Sequence, residues 1–163
     1  MTVLYVDLEH ACVREDGALG PAHRARFEAA RVLLAELAGV PCAAALAEQI
    51  TTALLDELAP SAVVLSGCTT DWAAYDLAAW AGLLGVIRSA PVPILGICAG
   101  HQLIGHAHGA AWGPLGPLEP GEADPDTRFA PGRRKQCGFG EVALDPDCLL
   151  FAGLGETLSL IHI

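Results

Sequence analysis

Residues 93–104 decide the fold, and they read Pro93-Ile94-Leu95-Gly96-Ile97-Cys98-Ala99-Gly100-His101-Gln102-Leu103-Ile104. An apolar segment runs into a glycine-flanked cysteine and then into a helix-compatible segment, which predicts a buried strand, a sharp turn and a helix. The spacing is that of the G-x-S-x-G nucleophile elbow, with cysteine in place of serine. Glycine is needed at Gly96 and Gly100 because the turn is tight and side chains at these positions would clash.

The predicted turn places Cys98 at the carboxyl end of a strand and at the N-terminus of the next helix. Unpaired N–H groups and a partial positive charge at that terminus stabilise negative charge on the sulfur and supply a donor for an oxyanion. Free cysteine is also a common core residue, so the turn taken alone leaves a structural role for Cys98 open.

The segment Gly96–Gln102 resembles the G-I-C-x-G-x-Q signature of class I glutamine amidotransferases, which hydrolyse the side-chain amide of glutamine and pass the ammonia to a synthase. The resemblance implies that Cys98 is the nucleophile and that Gln102 helps to hold the amino-acid end of the substrate. It implies an α/β fold of the flavodoxin-like three-layer type, and the alternation of buried strands with amphipathic helices predicts the same open, mostly parallel sheet with helices on both faces. The site is expected at the carboxyl ends of the strands.

The segment Ser66–Thr69 resembles the family's S-G-G-P-x-S loop, which follows a strand of the same kind. In the family a backbone N–H of this loop and the N–H of the residue after the nucleophile stabilise the tetrahedral oxyanion. The resemblance therefore assigns the oxyanion donors to the amides of Cys68 and Ala99, and it places Gly67 against the substrate. Cys68 and Thr69 replace the second glycine and the proline of the pattern, and a simple turn at Gly67 is the structural alternative.

Strand and helix signals alternate along the rest of the chain. Pro21 is predicted to open a helix that runs to Leu37 and ends at Gly39. Residues 40–47 fit either a short strand or the start of a helix, because their periodicity does not decide. The other predicted elements are a strand over 2–8, a helix over 51–58, a strand over 62–65, and a helix from Thr70 or Asp71 to about Arg88.

Composition excludes several classes of function. The net charge of −10 and the lack of an apolar run of membrane-spanning length argue against nucleic-acid and membrane partners. The first ten residues contain no basic segment, which predicts that there is no signal peptide. The six cysteines contain no C-x-x-C pair, which favours a reduced, cytoplasmic protein with free thiols.

No metal ion or other cofactor is expected. Cys98 and His101 share a helical face, but His106 and His108 fall on other faces, so the four residues do not form a zinc site. His101 is also an unsuitable general base for Cys98, since the base in cysteine–histidine catalysis comes from a separate element.

Residues after the predicted elbow helix also match the family in part. Residues 111–134 are rich in proline, glycine and acidic residues, which predicts a long surface loop, and in the family this region lies near the active-site mouth and the synthase interface. Residues 135–144 resemble the family strand that begins with a glycine–aromatic pair. Residues 148–155 resemble its L-F-x-G-L-P turn, with Gly155 in place of the proline.

The family requires a histidine base and an orienting glutamate, spaced as H-x-E, in addition to the cysteine. No H-x-E follows Cys98, so the 163-residue chain is expected to be incomplete at its C-terminus and inactive alone. Residues 158–163, Leu-Ser-Leu-Ile-His-Ile, are also encoded by CTG-TCT-CTT-ATA-CAC-ATC, the mosaic-end adapter of transposase-based sequencing libraries. We therefore expect residues 1–157 to be the N-terminal part of the amidotransferase domain and residues 158–163 to be translated adapter, with a natural β-strand as the alternative.

The resemblance implies that glutamine is the substrate and that a synthase domain or subunit receives the ammonia. Two other functions stay open on the same residues. One is a γ-glutamyl peptide hydrolase on this fold, and the other is a non-catalytic relative that binds glutamine or regulates a partner. The sequence does not identify the ammonia acceptor.

Overall fold

A computed structural model of the protein describes residues 1–111, 113, 115–125, 127, 131–134, 138–145, 147–148, 151–153 and 157–162. The chain divides into two units, Met1–Trp112 and Gly113–Ile163. Within the described residues, none of the helices has both the length and the apolar character needed to cross a membrane.

The first unit is built on a parallel sheet of four strands in the order β2-β1-β3-β4. Chain order and sheet order differ because β2 and β3 lie on opposite sides of β1, which creates a topological switch point between β1 and β3. The strands are β1 (Val3–Asp7), β2 (Cys42–Leu46), β3 (Ala62–Leu65) and β4 (Ile94–Gly96). The helices are α1 (Ala11–Arg14), α2 (Leu19–Ala38), α3 (Thr52–Leu58), α4 (Ala81–Ser89) and α5 (Ala99–Ala107), with short 3₁₀ turns at Ala47–Gln49, Trp72–Ala74 and Leu77–Trp80.

Strand β1 is buried on both faces and divides the core into two clusters. Its alternate side chains Val3 and Tyr5 pack against α2, where the Tyr5 and Phe27 rings stack with their centroids 4.4 Å apart. Leu4 and Val6 point to the opposite face and belong to the larger cluster, which also contains apolar side chains of α3, α4 and α5. Helices therefore cover both faces of a parallel sheet, and the predicted fold class is confirmed.

Helix α2 ends where the sequence predicts and begins two residues earlier than predicted. The carboxylate of Asp16 accepts the backbone N–H groups of Ala18 and Leu19, so the helix begins at Leu19 and Pro21 is its third residue. Gly39 ends the helix in the left-handed conformation, with a φ of 66° that glycine adopts without a steric cost.

The structure corrects the prediction for one segment and decides between the two alternatives for another. The single helix predicted from Thr70 or Asp71 to Arg88 is wrong in its first half, where two 3₁₀ turns precede α4. Asp71 and Asp76 each cap one of these turns, and Tyr75 between them is extended, so the helical hydrogen bonds are interrupted. The ambiguous segment 40–47 contains strand β2, because it pairs with the buried strand β1 from residue 42 to residue 46.

The second unit contains the antiparallel pair β5 (Gly138–Ala143) and β6 (Thr157–His162). Strand β5 falls within the predicted strand 135–144, although residues 135–137 lie outside the described residues. Residues 111–134, as far as they are described, form an irregular segment with a single bridge between Pro117 and Arg133. The turn expected at 148–155 lies partly outside the described residues, and strand β6 includes residues 158–162 of the expected adapter peptide.

Candidate active site

Cys98 lies in a strained turn between β4 and α5. Its φ of 52° and ψ of −110° are unusual for a residue with a side chain, and it occupies the cap position directly before α5. The residue is exposed. The strand, sharp turn and helix that the sequence predicts are all present, but the strand is not buried as predicted. Leu95 in β4 is 44% exposed, because β4 is the last strand in the order β2-β1-β3-β4 of the described sheet.

The flanking glycines are required by close backbone contacts. A Cβ atom at Gly96 would lie 2.5 Å from the backbone C of Gly100 and from the backbone N of His101. A Cβ atom at Gly100 would lie 2.6 Å from the carbonyl oxygen of Leu65 in β3. Any side chain at either position would move backbone atoms, which confirms the physical reason for the glycine spacing.

Two hydrogen bonds attach the turn to the carboxyl end of β3. The N–H of Ile97 donates to the carbonyl of Leu65 at 3.0 Å, and the N–H of Gly100 donates to the carbonyl of Ser66 at 3.1 Å. These bonds bring Cys98 beside the loop that follows β3. A Cβ atom on Gly67 would lie 3.3 Å from Cβ of Cys98 and 3.9 Å from its sulfur.

We call residues 67–70 the β3 loop. The backbone N–H of Cys68 in this loop has no acceptor among the described residues, and the same holds for the N–H of Ala99 at the start of α5. Free backbone donors next to a nucleophile are what an oxyanion requires. Gly67 and the predicted donor Cys68 therefore lie in the β3 loop, and the predicted donor Ala99 is the first residue of α5. These two segments meet at Cys98.

The β3 loop is held by the carboxylate of Glu9, which follows β1 and is 3% exposed. Oε2 accepts the backbone N–H and the hydroxyl of Thr69, both at 2.7 Å. Oε1 accepts the backbone N–H of His10 at 2.9 Å and the hydroxyl of Thr70 at 2.8 Å. Burial raises the pKa of Glu9, but these hydrogen bonds outweigh burial and lower its pKa to about 2, so the group is a carboxylate at neutral pH.

The buried hydroxyl of Ser66 connects the same loop to β1. The hydroxyl oxygen accepts a hydrogen bond from the backbone N–H of Leu8 at 2.9 Å, and the O–H donates to the carbonyl of Gly67 at 2.9 Å. A trans peptide directs its C=O and N–H in opposite directions, so fixing the carbonyl of Gly67 also fixes the direction of the Cys68 N–H.

Gln102, the predicted substrate-binding residue, is oriented by a tryptophan. The indole Nε1–H of Trp72 donates to Oε1 of Gln102 at 2.7 Å. Because that oxygen accepts a hydrogen bond, the amide NH₂ group is left to meet an acceptor such as a carboxylate. Trp72 also packs against Tyr75 and Trp80, with ring centroids 5.0 Å and 6.2 Å away.

The other cysteine of the site is a poor nucleophile. Burial raises the pKa of the Cys68 thiol, and the nearby Glu9 and Cys98 raise it further. Its sulfur lies 3.4 Å from the carbonyl oxygen of Thr70, to which the thiol donates. Among the described residues, no three His, Cys, Asp or Glu side chains come together in an arrangement that fits a metal ion.

A cavity of ≈ 260 Å³ is lined by residues of the β3 loop and of helix α2. Gly67 and Glu9 line it together with His23 and Arg26, but Cys98 does not. Nε2 of His23 lies 2.8 Å from the buried carboxylate of Asp7, which anchors α2 to the end of β1.

Sequence reasoning did not identify Glu9 or Ser66. One signal was available: both residues follow buried strands, and the carboxyl ends of parallel strands meet at one edge of the sheet. Their partners could not be predicted, since Glu9 and Thr69 are 60 residues apart in the chain.

Comparison with known protein families gives one match over most of the chain. The family model described as Glutamine amidotransferase class-I matches residues 24–159, which include β2, β3, β4, the Cys98 turn and the β3 loop. A comparison with curated proteins gives no significant match.

Proposed function

Because the chain belongs to the class I glutamine amidotransferase family, we propose that Cys98 is the nucleophile of a glutaminase that supplies ammonia to a synthase domain or subunit. The observation that carries this proposal is the position of Cys98. It is exposed in a strained turn at the N-terminus of α5, with Gly67 directly beside its sulfur.

In the proposed reaction the Cys98 thiolate attacks the side-chain amide carbon of glutamine, and the carbonyl π electrons move to the oxygen. The resulting oxyanion accepts hydrogen bonds from the N–H groups of Cys68 and Ala99. The C–N bond then breaks and the nitrogen takes up a proton. Ammonia departs, and a γ-glutamyl thioester remains on Cys98. Water attacks this thioester through a second oxyanion and releases glutamate and the free thiol.

Gln102 is proposed to contact the amino-acid end of the substrate. Trp72 fixes Oε1 of Gln102, so the amide NH₂ group is directed to the α-carboxylate of glutamine. Binding this end of glutamine would place the side-chain amide at the nucleophile and favour attack by proximity.

The proton transfers require a general base, and we propose that a His-x-Glu pair encoded beyond codon 157 supplies it. Residues 158–163 are proposed to be translated adapter rather than native sequence. On this proposal the 163-residue chain hydrolyses no glutamine, whereas the product of the complete reading frame does. Sequencing the locus past codon 157 tests the point, and natural codons for residues 158–163 followed by a stop would contradict it.

Glutamate release from glutamine by the product of the complete reading frame tests the proposed function. We expect Cys98→Ala to abolish release and Cys148→Ala, which changes a partly exposed cysteine of the second unit, to leave it unchanged. Equal glutamate release by wild type and Cys98→Ala would refute the assignment of Cys98 as the nucleophile. Faster hydrolysis of γ-glutamyl dipeptides than of glutamine would instead favour the γ-glutamyl peptide hydrolase.

A further inference from the structure

The two peptide groups on either side of Cys68 are each held by a buried side chain. The Ser66 hydroxyl binds the carbonyl of Gly67, which belongs to the peptide group before Cys68. The Glu9 carboxylate binds the N–H of Thr69, which belongs to the peptide group after Cys68. With both peptide groups fixed, the backbone of Cys68 has little freedom to turn its own N–H away.

The contact with Glu9 depends on the residue at position 69. Thr69 stands where the loop pattern of the family has proline, and proline has no N–H to donate. Thr69 instead presents two donors, and both meet Oε2 of Glu9 at 2.7 Å. Hydrogen bonds to a buried carboxylate thus constrain the loop at a position where a proline ring would constrain φ.

We propose that Glu9 is a positioning residue of the glutaminase site, whose carboxylate holds the β3 loop so that the Cys68 N–H faces the oxyanion. This role rests on the proposed function, because only a reaction that forms an oxyanion uses the donor. Glu9 acts through Thr69 and the loop, and it has no direct contact with substrate in this role.

The role requires a carboxylate rather than an amide. Each oxygen of Glu9 accepts one backbone N–H, from His10 on Oε1 and from Thr69 on Oε2. A glutamine has one oxygen and one NH₂ group, so either orientation of its amide directs a donor at a backbone N–H. The hydroxyls of Thr69 and Thr70 can rotate to accept, but the backbone groups cannot.

Amide hydrogen exchange tests the contact itself, independently of catalysis. In Glu9→Ala the Thr69 amide is expected to exchange at least about tenfold faster than in wild type, because the carboxylate that accepts its hydrogen bond is removed. Glu15→Ala is the matched control, since Glu15 is an exposed glutamate close to Glu9 in the chain. Unchanged exchange of Thr69 in Glu9→Ala would overturn the proposal.

Two reactions of Cys98, measured on the product of the complete reading frame, separate a positioning role from a general structural one. Glutamine hydrolysis passes through an oxyanion, whereas alkylation by iodoacetamide displaces iodide at carbon and forms none. We expect Glu9→Gln to lower kcat for glutamine about 10- to 100-fold, with KM changed less than about threefold. The rate of Cys98 alkylation, followed on its own peptide by mass spectrometry, should equal that of Glu15→Gln.

A fall in alkylation that matches the fall in kcat would show general disruption of the site and would overturn the positioning role. Faster Thr69 exchange with an unchanged kcat would also overturn it. If wild type releases no glutamate, or if Cys98→Ala releases as much, the proposed function fails, whatever the exchange experiment gives.

A milder variant keeps the test decisive if Glu9→Gln does not fold. Thr69→Val removes the hydroxyl donor and keeps the backbone N–H that binds Oε2. We expect its kcat to fall about three- to tenfold, with alkylation of Cys98 unchanged. An unchanged kcat in this variant, in place of the fall, would overturn the role of the Glu9–Thr69 contact.

Discussion

Replacing Gly100 with alanine tests how closely the Cys98 turn packs on the sheet. The new Cβ would lie 2.6 Å from the carbonyl oxygen of Leu65 and 2.7 Å from its Cβ, compared with at least 3.4 Å for an ordinary contact. The distance from the new Cβ to the Leu65 oxygen is thus 0.8 Å shorter than the 3.4 Å lower limit of an ordinary contact. The obstructing oxygen is a backbone atom of the buried strand β3 and accepts the N–H of Ile97, so it cannot move without breaking that bond.

Overpacking of this kind costs about 1–3 kcal/mol, and a contact with backbone belongs at the upper end. Alanine in a helix recovers about 0.5–1 kcal/mol relative to glycine. We therefore expect Gly100→Ala to lower the free energy of unfolding by about 2 kcal/mol. Gly105→Ala is the matched control in the same helix, because its Cβ would meet only Cβ of Ala110 at 3.6 Å. It should be neutral or stabilise the protein by up to about 1 kcal/mol.

Urea denaturation followed by circular dichroism measures both variants. With a slope of about 2 kcal/mol per molar urea, the midpoint of Gly100→Ala should fall by about 1 M and that of Gly105→Ala should not fall. Equal midpoints for the two variants would refute the close contact between α5 and β3. A lower midpoint for Gly105→Ala than for Gly100→Ala would refute it more strongly.

Three further perturbations test other contacts of the site. Since the pKa of Glu9 is lowered to about 2 from 4.5, its stabilising effect should be complete above pH 4.5 and lost as pH falls towards 2. Urea titrations should accordingly show wild type more stable than Glu9→Gln by about 2–3 kcal/mol at pH 6, with the gap closing near pH 2; a gap independent of pH would contradict the ionised carboxylate. Trp72→Phe keeps an aromatic side chain and removes the N–H that donates to Gln102, so KM for glutamine should rise about three- to tenfold with kcat nearly unchanged, and an unaltered KM would count against the orienting role. Gly67→Ala brings a Cβ to 3.3 Å from Cβ of Cys98, so steady-state assays should show glutamine turnover about tenfold lower than in wild type. The free energy of unfolding should change by less than about 1 kcal/mol, and wild-type turnover in this variant would contradict the close approach of the β3 loop to Cys98.

Local signals were sufficient for most of the sheet and for the turn that contains Cys98. Strand β3 is a short run of branched apolar residues, and the Cys98 turn has glycine at both positions where a side chain would clash. The segment 72–80 was predicted wrongly because its apolar spacing fits a helix, whereas Asp71 and Asp76 satisfy nearby backbone N–H groups and favour separate turns.

The partners of the supporting residues Glu9 and Ser66 could not be predicted from the sequence. Glu9 and Ser66 act through contacts with Thr69 and Leu8, and these contacts arise only when β1 and β3 pair in parallel. Nothing in a local pattern records a hydrogen bond between residues about 60 positions apart. The departure of the β3 loop from the family pattern was visible, but the carboxylate that meets it was not.

The covalent intermediate on Cys98 tests the central claim most directly. The product of the complete reading frame is mixed with glutamine, quenched in acid within the first turnovers, digested and mapped by mass spectrometry. The account predicts a γ-glutamyl group on the peptide that contains Cys98 and none on the same peptide of Cys98→Ser. Release of glutamate with no glutamyl group on that peptide, or with the group on another cysteine, would contradict the account.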